Sequence, residues 1–154
     1  MIRRTATALF LYVSSVIASA ETPALAATAA RFVSGVEWQA GSSVRGDFSC
    51  RGRKDRAILG TNKSEIVIVV FIDGLNRPPK VLRYSAGDRD PATAELAIED
   101  LDFNPKRFRS EVGEIPEGLR PSRTCKGLNL SDGKVDSAHI YWNRKARRFD
   151  DWSL

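Results

Sequence analysis

Residues 65–72, EIVIVVFI, form a nearly continuous run of β-branched and aromatic side chains. Successive residues of a strand point to opposite faces, so a run that is apolar at every position buries both. The segment is therefore read as a central strand. Asp73 and Gly74 end it, and residues 76–79 prolong the turn. Residues 80–84, KVLRY, then alternate polar with apolar, as a return strand with one wet face does. Upstream, residues 57–60, AILG, read as a short strand. The three segments predict an antiparallel meander and place the chain in the all-β class.

Working outward, residues 85–91 are rich in turn formers. Asp90 and Pro91 suit the cap and first position of a helical turn. Residues 96–101 are read as a strand. Residues 104–122 hold three prolines and two glycines among few apolar residues. They predict a long surface loop, tied down by Cys125. Residues 138–143, AHIYWN, and 148–152, RFDDW, read as a hairpin turning at 143–147.

At the other end, Arg3 and Arg4 precede an apolar stretch at 8–18, and Ala18-Ser19-Ala20 offers small residues to a signal peptidase. This is the layout of a cleavable secretory signal over residues 1–20. The apolar stretch is shorter than the roughly 20 residues a membrane span needs. Residues 21–31, rich in Ala and Thr without helical periodicity, are expected to be a flexible leader. Residues 32–154 make the single β-rich domain. The full chain carries +5, of which Arg3 and Arg4 supply two. That balance lacks the dense cationic face of a nucleic-acid binder. Export, to the periplasm or beyond the cell, would pair the two cysteines, Cys50 and Cys125. Such a bond would close a long loop, with stabilisation on the order of 4 kcal/mol.

A short internal repeat runs across the chain. Gly52-Arg-Lys-Asp55-Arg-Ala57-Ile-Leu59 aligns without gaps on Gly133-Lys-Val-Asp136-Ser-Ala138-His-Ile140. Each copy sits at the mouth of a strand, where a glycine supplies a tight turn and an aspartate ties it. The stretch from Asp47 to Ala57 resembles the turn of FG-GAP (integrin alpha-type, VCBS-like) repeats, which run Asp-x-Asp-x-Asp-Gly-x-x-Asp into a strand. The first copy keeps Asp47, Gly52 and Asp55, with Ser49 and Arg51 at the other acidic positions. The second keeps Asp132 and Asp136, with Leu128 and Leu130 at the first and third. The resemblance implies blade-like hairpins and a calcium-holding loop. Two copies cannot close a propeller of ~4–8 blades. An open sheet assembly or small sandwich of two blade-like units is expected instead. Calcium needs several oxygen ligands, and Arg51, Arg53, Lys54 and Arg56 crowd the first turn with opposing charge. The turns are thus read as Asx-type turns without a metal or other cofactor. A weak calcium site centred on Asp47 and Asp55 is the alternative.

Candidate functional residues cluster near the end of the chain. Tyr141 and Trp142 are neighbours on one strand and so face opposite sides. One is core; the other, with Trp152, offers an aromatic surface to a sugar ring or a partner protein. Arg144, Arg147 and Arg148 flank it at the hairpin tip. His139 is the one histidine, and no nucleophile elbow or paired metal-binding histidines accompany it. The leading expectation is an exported non-enzymatic module that binds a protein or a cell-envelope polymer. Its contact surfaces would be the 143–148 hairpin and the 104–122 loop. The alternatives are a periplasmic inhibitor of a cell-wall hydrolase and a small hydrolase using His139 with Asp136.

Overall fold

The computed structural model describes residues 21–87, 90–132 and 137–153. The signal-like segment 1–20, and Gly133 and Asp136 of the second repeat, lie outside the described residues. Nine described strands form two antiparallel sheets. The first sheet holds β1 (Glu37–Trp38), β2 (Val44–Gly46), β3 (Asp55–Thr61), β4 (Glu65–Phe71) and β5 (Lys80–Ser85). The second is a meander of β6 (Glu95–Asp100), β7 (Lys126–Ser131), β8 (Ala138–Asn143) and β9 (Arg148–Trp152).

The run at 65–72 has the central place its sequence demands. β4 lies between β3 and β5, with Ile68 opposite Leu59 on one side and Leu82 on the other. Alternation splits these strands into two apolar faces. Ala57, Leu59, Ile68 and Val70 pack across the sandwich onto Leu96, Leu128, Leu130, Ile140 and Phe149 of the second sheet. Ile58, Val67, Val69 and Phe71 face the other way, under a helix.

That helix, α1 (Glu21–Phe32), corrects the expectation of a flexible leader at 21–31. Alanine is the strongest helix former. Leu25, Ala29 and Val33, four residues apart, are buried on the outer face of the first sheet. Phe32 meets Phe71 edge-on at 6.0 Å. Because alanines occupy both sides of α1, its apolar stripe stands out little from its surroundings. The folded unit begins by residue 21 rather than at 32.

The second correction concerns residues 104–122. They contain α2 (Pro105–Glu111), opened by Asn104, whose side chain accepts from the backbone N–H of Lys106 and Arg107 at 2.9 and 3.2 Å. The segment crosses the outer face of the second sheet. Leu119 is buried there, with Phe108 and Ile115 packed beside Leu101 and Tyr141. The sandwich is thus covered on both outsides, by α1 on one and by residues 102–122 on the other. Cys50 and Cys125 are disulfide-bonded, with Cα atoms 4.7 Å apart across 75 residues of chain. The bond ties the β2–β3 turn of the first sheet to the start of β7 in the second. Asp90 caps a 3-10 turn at Pro91–Thr93, accepting from Ala92 N–H at 3.0 Å, as its position before proline implies.

Candidate functional site

The 143–148 hairpin is built around Asn143, a buried polar residue at the end of β8. Its Oδ1 accepts from the N–H groups of Lys145 and Ala146 at 3.1 and 3.0 Å, an Asx turn that sets the reversal. Its Nδ2 donates to Asp150 Oδ2 at 2.8 Å and to the Glu117 carbonyl at 3.2 Å. Tyr141 donates its phenol to the same carbonyl at 2.9 Å. Burial, then the charges of Asp150, Asp151 and Glu117, raise the Tyr141 phenol above its ordinary value, so it stays a donor. Lys145 Nζ reaches the Glu117 carboxylate at 3.2 Å. The hairpin and the 104–122 loop, read from sequence as separate contact surfaces, are therefore one surface joined at Glu117. Beside this joint opens a cleft of about 560 Å³ lined by Glu117, Lys145, Arg148, Asp150 and Asp151, with Arg148 and Asp150 paired to each other.

The expected ligand surface of Trp142, Arg144, Arg147, Arg148 and Trp152 does not assemble as one patch. Trp142 pairs with Phe149 across β8 and β9, and Trp152 with His139. Strand alternation then sends the two tryptophans to opposite faces. Trp142 turns inward and meets Phe149 at 4.9 Å, while Trp152 lies on the outer face. The arginines also part. Arg148 lines the cleft and gives its Nε to Asp150 at 2.6 Å. Arg144 borders a smaller cavity of about 120 Å³ beside the disulfide. Arg147 closes the turn with a left-handed backbone, φ 54°.

Trp152 belongs to a second recess, about 200 Å³, at the border of the covered and open parts of the same outer face. His139 stacks on Trp152 with centroids 4.1 Å apart and planes 14° from parallel. His139 Nδ1 lies 2.8 Å from Glu99 Oε1. Phe108 of α2 meets Trp152 edge-on at 5.3 Å, and Phe103 lies 4.9 Å from Phe108. Sequence reading found His139 and Trp152 but missed Glu99, Phe103, Phe108 and Glu117. The signal within reach was the Phe103/Phe108 pair, two aromatics in a stretch otherwise poor in apolar residues.

The first repeat turn is satisfied from within. Asp47 accepts from the N–H groups of Arg51 and Gly52, each at 2.8 Å. Asp55 Oδ2 accepts from Ser49 N–H at 2.8 Å and Ser49 Oγ–H at 2.7 Å. Arg51 sends its guanidinium to Ser49 Oγ, to Asp73 at 2.8 Å and to the Ile72 carbonyl. Asp73 in return is held below the usual carboxylate range, first by its bond to Arg51. Both carboxylates at the centre of the weak calcium reading thus face protein donors. Among the described residues, no group of three or more His, Cys, Asp or Glu side chains is placed to hold a metal.

Compared with known proteins, the chain matches no family model, no curated protein and no solved structure.

Proposed function

We propose that the protein is an exported, non-enzymatic binding module of the cell envelope, and that its contact surface is the outer face of the second sheet. One observation carries this reading. α1 covers β3 and β4 on the outer face of the first sheet, with Val81 of β5 left exposed beside it, whereas the cover on the second sheet leaves two recesses, the Glu117–hairpin cleft and the Trp152 recess. The disulfide fits an oxidising compartment. No described helix is long and apolar enough to cross a membrane. At His139 the described carboxylate partner is Glu99, while Asp136 of the hydrolase alternative lies outside the described residues. The mixed charges of the cleft suit a polar polymer rather than an apolar ligand.

Co-sedimentation with isolated cell-envelope material tests the reading. The wild-type protein should pellet, and binding should fall with salt, because exposed charges are screened within ~10 Å at 0.1 M. Replacing Lys145, Arg148 and Glu117 with Ala together should weaken binding and leave the fold intact. Equal pelleting of this variant and the wild type would remove the cleft from the account.

A further inference from the structure

The recess beside Trp152 has a chemistry distinct from that of the cleft. Its volume, about 200 Å³, is below the ~300–1,000 Å³ of sites that enclose whole drug-sized ligands. It has room for a single ring. Trp152 and His139 form one stacked wall, and Phe108 and Phe103 continue the aromatic surface from the roof. Flat aromatic surface is what the C–H face of a saturated ring packs against.

The rim decides what kind of ring. Glu99 and Asp100 supply carboxylate acceptors, and each already has a partner: His139 for Glu99, Lys126 for Asp100. An anionic ligand would meet both carboxylates, and a cationic one would find them already partnered. The rim therefore offers carboxylate acceptors that already have partners. A neutral ring bearing several hydroxyls donates to both carboxylates at once.

We infer that this recess binds a neutral pyranose ring of a glycan. The inference rests on the binding-module reading and supplies its ligand class. The hydroxyl edge of the sugar meets Glu99 and Asp100, and its C–H face lies on the aromatic wall. The cleft at Glu117 then holds neighbouring parts of the same polymer, since Tyr141 borders both spaces.

The test titrates chitotetraose, cellotetraose and the monosaccharide N-acetylglucosamine into the purified protein, followed by tryptophan emission and calorimetry. The same preparation is co-sedimented with cell-envelope material. At least one neutral saccharide should bind saturably. Trp152→Ala and Glu99→Gln should each weaken it by about tenfold, the loss of roughly one good contact. Glu99→Gln keeps the shape of the side chain and guards against a result caused by misfolding, which a thermal melt of each variant checks. Preference for a tetrasaccharide marks a polymer as the source of the ring. Equal binding of the monosaccharide marks a free sugar. Saccharide binding unchanged in both variants would place the site elsewhere and overturn the inference. No saccharide binding, with envelope material still pelleting the wild type, would overturn the sugar recess and leave the module standing. Failure of both measurements would remove both.

Discussion

Asp55 is buried at 2% exposure, and its Oδ2 alone satisfies two groups of Ser49. Replacing it with Ala leaves a buried N–H and a hydroxyl without an acceptor. Asp55→Ala should cost about 3 kcal/mol, read as a lowered urea midpoint. Arg148→Ala removes an exposed pair with Asp150 and should cost no more than about 1 kcal/mol. Arg147 sits in the left-handed region at φ 54°, where a side chain is strained by ~1–2 kcal/mol and glycine is not. Arg147→Gly should therefore raise the melting temperature, and an unchanged or lower value would contradict a purely geometric role at the turn. The Asp47–Asp55 turn was legible in the sequence because its chemistry is local: a glycine and two aspartates within nine positions. The Glu99–His139 pair was not, because the partners are 40 residues apart and only the β6–β7–β8 register brings them together.

Among the elements, α1 shows what a sequence pattern conceals. Leu25, 3% exposed, is its main anchor on Val67, Val69 and Phe71. Leu25→Ala should destabilise the protein by about 2–4 kcal/mol through lost burial and the cavity left behind, measured by chemical unfolding. A cost under about 0.5 kcal/mol would mean that α1 is not docked. The strands at 57–60, 65–72 and 80–84 could be read because alternation or continuous β-branching sets them apart. β7 was not read: Lys126–Ser131 offers only Leu128 and Leu130 as an alternating pair, and Gly127 and Asn129 are weak strand formers. α2 was hidden inside a proline-rich stretch, although Asn104 and Pro105 form a cap and first position as good as Asp90 and Pro91. Which of Tyr141 and Trp142 turns inward was not legible, because facing depends on register as well as on spacing, and the register pairs Trp142 with Phe149.

At the scale of the whole molecule, the layers run helix, sheet, sheet, covering loop, with the disulfide pinning the two sheets together. Charge follows the layers. Residues 21–89 carry 11 basic against 7 acidic side chains, and residues 90–154 carry 11 against 12. The basic excess thus belongs to the first part of the sequence, and the part that carries the second sheet is close to neutral. The far edges of the sheets are tied by Tyr84 of β5 and Asp151 of β9. Burial, with the charge and hydrogen bond of Asp151, raises the Tyr84 phenol well above its ordinary value of 10.0. The folded protein therefore holds this proton more tightly than the unfolded chain. Its contribution is full below pH 10 and is lost as pH rises above it. Stability should fall in alkali from about pH 10, and Tyr84→Phe should flatten that fall. An equal slope in the variant would assign the alkaline loss elsewhere.

Amide hydrogen exchange with and without cell-envelope material measures the central claim most directly, because it reports which face is covered without assuming a ligand. The account predicts added protection on the outer side of the second sheet, in residues 99–108, 115–120 and 139–152, with α1 unchanged. Protection over α1 and the first sheet, with none at Trp152, Glu117 or the 143–148 hairpin, would contradict it.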